Sequence, residues 1–105
     1  MTTSTLEFRI PAIRAVRITH STLTFEAEDG RSVSAPLDWF PRLKAGTVKE
    51  RENWSLIGAG YGVHWPELDE DISIEALLQG RRSMESERSF RAWLDRRPKR
   101  RRPGL

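Results

Sequence analysis

Three consecutive carboxylates, Asp69, Glu70 and Asp71, and two histidines, His20 and His64, are the side chains here that could move protons or hold a metal. Clustered carboxylates attract divalent cations and raise one another's pKa, and a histidine pair can work as general acid and base. The acidic run, however, directly precedes a helix signal, and a helix N-terminus stabilises anions by about 0.3 to 1 kcal/mol each. Consecutive residues of a loop fan outward, and no second acidic or histidine cluster completes a coordination sphere, so neither metal nor cofactor is expected. His64 stands between Val63 and Trp65 and, in a strand, faces away from both. With no Cys in the chain and no Ser in a nucleophile elbow, no catalytic residue is assigned. Gly58, Gly60 and Gly62 alternate as in a phosphate loop, but no helix starts directly after them and no Lys-Ser/Thr follows, so they read as hairpin residues.

The strongest electrostatic feature is a split along the chain. Residues 1–80 hold eight Lys and Arg against twelve Asp and Glu, whereas residues 81–105 hold ten against three. A mildly acidic domain therefore carries a basic appendage, which calls for a polyanionic or acidic partner. Arg96, Arg97, Lys99, Arg100, Arg101 and Arg102 are the candidate nucleic-acid contacts, because the planar guanidinium suits phosphate.

The elements that position these residues follow from periodicity. Val16 and Ile18, then Leu23, Phe25 and Ala27, alternate with polar residues as two half-buried strands. Asp29-Gly30 predicts a tight type I′ turn into a third strand over residues 31–35, ended by Pro36. Residues 38–46 read as irregular, Thr47 and Glu50 as a capping box opening a short helix, and residues 54–65 as a second hairpin. Ser73 caps a helix stopped by Gly80, and a last helix begins near Ser83, with Phe90, Trp93 and Leu94 on one stripe. These elements predict an α+β fold: a small antiparallel sheet from two hairpin units, two or three short helices and a disordered basic tail. The organisation is an arm over residues 1–12, a domain over 13–80, a helix over 81–97 and the tail over 98–105. At 105 residues with four Trp the chain sustains one core without disulfides. The absence of Cys, of a leader and of a long apolar run predicts a cytoplasmic protein that does not enter membranes.

Residues 54–80, WSLIGAGYGVHWPELDEDISIEALLQG, closely resemble the bacterial family called domain of unknown function 2442. Upstream pieces agree: Phe25 to Asp29-Gly30, Phe40-Pro41-Arg42-Leu43, and Glu50-Arg51-Glu52-Asn53. The resemblance spans about residues 13–80 and implies a small α+β domain, sometimes fused to a helix-turn-helix. It also implies a gene often paired with one for another small uncharacterised protein, as in toxin and antitoxin pairs. This chain has one helix and an Arg-rich end where the fused domain would stand, so helix-turn-helix reading of DNA is not expected.

The function expected is that of a small non-enzymatic, antitoxin-like regulatory protein. It would engage a small, toxin-like protein partner through His64, Trp65, Asp69, Glu70 and Asp71, with Trp65 as surface anchor, and DNA or RNA through the tail. Two alternatives stand beside it: a small hydrolase or nuclease using His64, His20 and Asp69 to Asp71, and a homo-oligomeric structural module, whose sign would be an exposed apolar patch.

Overall fold

A computed structural model describes residues 10–97; the basic run Lys99 to Arg102 and the arm before Ile10 lie outside the described residues. Strands β1 (Ile13–Ile18), β2 (Thr22–Ala27) and β3 (Ser32–Pro36) form an antiparallel sheet in the order β1-β2-β3. Its register stacks like with like: Val16, Phe25 and Val33 form one cross-strand row, and Ile18, Leu23 and Ala35 the next. The other face is polar, with Thr24 and Ser34 hydroxyls 2.7 Å apart and Glu26 paired to Arg14 and Arg17.

The β2–β3 turn departs from the type I′ expectation. Gly30 N–H closes onto the Ala27 carbonyl at 3.1 Å, and Gly30 takes positive φ while Asp29 does not. The loop is thus one residue longer, a turn followed by a glycine bulge, and Asp29 spends its side chain on the Arg31 backbone N–H instead. His20 lies in the β1–β2 turn rather than on a strand, because the Thr19 hydroxyl accepts from Ser21 and Thr22 and ends the ladder there.

A 3-10 turn (Leu37–Trp39) leads to helix α1 (Pro41–Ala45), in the stretch that read as irregular; Pro41 stands at a helix start, where its missing N–H costs nothing. Helix α2 (Val48–Glu52) has the expected capping box, with Thr47 and Glu50 bonding reciprocally.

The second hairpin, β4 (Ser55–Ile57) and β5 (Gly62–Trp65), gains a strand that the periodicity did not announce, β6 (Glu70–Ser73), in the order β4-β5-β6. Ser73 ends β6 and caps helix α3 (Ile74–Leu78), its hydroxyl accepting from Ala76 N–H at 3.0 Å. Gly80, at positive φ, donates to Leu77 and Arg81 donates to Ala76, a Schellman ending. Helix α4 (Glu87–Arg96) begins later than expected because Ser86, not Ser83, supplies its cap.

Both sheets contribute to one core. Leu23, Phe25, Val63, Trp65, Leu68 and Ile74 are buried within it, and Ile13 N–H donates to Gly60 carbonyl at 2.7 Å between the sheets. Trp65 is therefore no surface anchor: it is fully buried, and its indole N–H is satisfied by the Arg51 carbonyl at 3.0 Å. It points inward because its face of β5 is the core face, shared with Val63.

Candidate interaction site

The register of the second sheet decides where the acidic run points. Ser55, His64 and Asp71 are cross-strand partners and share the outer face, whereas Leu56, Val63 and Ile72 share the core face. Glu70 and Asp71 thus alternate on a strand instead of fanning from a loop ahead of a helix, which corrects the expectation for them; only Asp69, at φ 52°, keeps a turn conformation. His64 Nδ1 meets Asp71 Oδ1 at 2.5 Å, and both side chains are partly exposed. His20 belongs to the other sheet's turn, so the two histidines do not share a face. Among the described residues no group of three His, Cys, Asp or Glu converges as a metal site.

Gly62 shapes this outer face. A Cβ there would lie 3.1 Å from Ile57, so a side chain at residue 62 would require Ile57 to shift by a few tenths of an ångström. Beside Ile57 and Gly62 opens a groove of about 460 Å³ lined by Glu70, Asp71 and Ser73 of β6 and by Arg81, Arg82 and Met84. Arg82 lies over the Trp39 ring at 4.8 Å, while Arg81 is exposed.

Behind the groove stands an ion cluster that sequence reasoning did not find, because its members are 27 and 43 residues apart. Arg42 forks onto Glu85 at 2.5 and 2.9 Å, reaches the Asp69 carbonyl and carboxylate at 3.1 and 3.2 Å, and covers the Trp93 ring at 5.0 Å. Arg97, expected as a phosphate contact, is held in the domain by Glu50 at 2.7 Å and lies 4.8 Å from the Trp93 ring; Arg96 is exposed. The Arg42 fork holds the Glu85 carboxyl below its ordinary range. For Glu50 burial works the other way, yet hydrogen bonds from Arg97 and Thr47 prevail and lower it. Burial pushes Glu70 up to about 7, against the pull of Arg42, with Glu85 and Asp71 adding to the rise.

The Glu70 shift has a sign that can be checked. A carboxyl whose folded pKa is raised from 4.5 to about 7 lends stability that is fully present below pH 4.5 and is lost as pH rises through 7. Glu70→Gln removes this dependence, so the variant's Tm minus the wild-type Tm is expected to increase between pH 5 and pH 8. A difference flat across that window would show that Glu70 titrates normally.

The family model described as protein of unknown function (DUF2442) matches residues 13–83. The chain belongs to the DUF2442 family. The match contains β1 through α3 and all of the groove lining except Met84, and it ends before α4, so DUF2442 membership accounts for the domain and not for the helix docked on it. Two solved structures share the DUF2442 chain's fold at 23% identity and a TM-score of 0.62. One is a protein of unknown function from Rhodospirillum rubrum, the match covering 73% of this chain and 95% of that one. The other is an uncharacterised protein from Chromobacterium violaceum, with 78% and 77% covered. No curated protein matches the sequence. Among the described residues no helix is long and apolar enough to cross a membrane.

Proposed function

We propose that this DUF2442 protein is a non-enzymatic binding module, antitoxin-like in organisation, that takes an extended segment of a protein partner along β6 while its basic C-terminal end engages nucleic acid. The observation supporting this reading is the groove beside β6, whose lining brings together Glu70, Asp71, Arg81 and Arg82 with the apolar Phe40 and Ile57. Such a cleft suits a strand added edge to edge, where backbone bonds supply affinity and alternate side chains meet charges of either sign. Ionic complementarity across it would set register and discriminate between partners.

The experiment is capture by tagged full-length protein from nuclease-treated native cells, comparing wild type with Asp71→Arg and Arg81→Glu. Both positions are exposed, so the fold tolerates the changes. The proteins bound by wild type are expected to fall at least tenfold in the double variant; equal capture would remove the groove from the reading. The His64–Asp71 pair also favours a second reading, a small hydrolase or nuclease with His64 Nε2 as proton acceptor. That reading requires turnover that His64→Ala abolishes.

A further inference from the structure

The alternation of backbone hydrogen bonds fixes which groups the second sheet leaves free. Ile74 N–H donates to the Tyr61 carbonyl at 3.0 Å, so Tyr61, Val63 and Trp65 face β6, and Gly62 and His64 face β4. Their partners Ile57 and Ser55 are thereby engaged, and Leu56 directs its N–H and carbonyl away from the sheet.

Sheet edges in soluble proteins are normally protected by charge or proline. Of the four edge strands described, β1 carries Arg14 and Arg17, β3 ends in Pro36, and β6 holds Glu70 and Asp71, which restrict that edge to a segment of complementary charge. β4 has neither device, and residues 54–61 contain no charged side chain. Its apolar side chains stay partly exposed on both faces: Leu56, on the core face, is 41% exposed, Ile57, on the outer face, 40%, and Tyr61, in the following turn, 43%.

We propose that β4 pairs antiparallel with β4 of a second copy of this chain, about a two-fold axis through Leu56, joining the second sheets of two protomers into one of six strands. Such an axis sets Leu56 against the same residue of the partner copy and Ser55 against Ile57. The pair exchanges the two backbone bonds that Leu56 leaves free, and no like charges meet because the segment has none. A charged strand would find no counter-charge on this edge, whereas every copy of the chain carries an uncharged strand of matching length. The backbone edge that pairs belongs to β4 and not to β6, although the Ile57 side chain is shared with the lining of the groove.

Sedimentation velocity of the full chain over a wide concentration series tests the pairing. Wild type is expected to move from one to two chain masses as concentration rises, and Leu56→Lys, which places an ammonium against its own copy, is expected to weaken association at least tenfold. The chain has no Cys, so Leu56→Cys provides an independent readout. A hydrogen-bonded pair has Cα atoms about 5.5 Å apart, within the disulfide range of about 4.4 to 6.8 Å. Leu56→Cys should therefore oxidise to a covalent dimer much faster than Ser32→Cys on β3. A wild type that stays one chain mass throughout, a Leu56→Lys protein that associates as wild type does, or equal oxidation of the two cysteines would each overturn the proposal.

Discussion

Trp93→Ala is expected to free α4 from a domain that itself stays folded. The ring is buried, stacks on Phe90 at 5.7 Å between centroids, and is flanked by the guanidinium groups of Arg42 and Arg97. Truncating a buried Trp costs about 3 to 5 kcal/mol. A ten-residue helix is marginal in water without tertiary contacts. The pairs Arg42–Glu85 and Arg97–Glu50 remain, but without the ring between them they become more exposed, and exposed pairs contribute only about 0 to 1 kcal/mol each. All other buried apolar residues lie between Ile13 and Leu77, so the core keeps its own members. Native-state hydrogen exchange checks this: amides of Glu87–Arg96 should lose their protection while those of β2 and β5 keep theirs. Retained protection in α4, or collapse of protection everywhere, would show that the helix is not an element docked through Trp93.

Deleting residues 98–105 is expected to leave thermal stability unchanged and to remove most nucleic-acid affinity. The segment has no apolar period and follows the capped end of α4, so little buried area is at stake. It does carry Lys99, Arg100, Arg101 and Arg102, and each phosphate neutralised on duplex DNA adds about 0.9 to the slope of log affinity against log salt. Full engagement of about four contacts gives a slope smaller by about 3 to 4 in the truncated protein. Sequence preference should hardly change, since contacts to phosphate position a protein without reading bases. Salt titrations on random duplex and single-stranded oligonucleotides measure both quantities. Equal binding by the two proteins, or none by the full chain at low salt, would end the nucleic-acid half of the proposed function.

The elements legible in the sequence were those whose signals are local. Leu23, Phe25 and Ala27 have the strand period, Thr47 and Glu50 form their box three residues apart, and Ser73 and Gly80 bracket α3 with cap and stop. β6 was illegible because Glu70 and Asp71 have low strand propensity and pair only because β5 offers them an edge. The same tertiary cause hid Trp65: proximity to Pro66 says nothing about which face of β5 looks inward. His64 and the carboxylates were identified as a group, but the direct His64–Asp71 contact needed the register of two strands. The Arg42 cluster needed the whole fold, since it joins α1, the β5–β6 turn, the segment before α4 and α4 itself.

The double hold on Arg97 has a mechanical consequence. Tension applied from residue 98 onward does not have to travel the whole length of α4. It enters the domain at once through the Arg97 guanidinium, which is fastened to Glu50 on α2 and seated on Trp93. The load is shared between α2, through Glu50, and α4 itself, through Trp93. Force applied beyond residue 97 thus reaches the domain at Arg97 and not only at the start of α4.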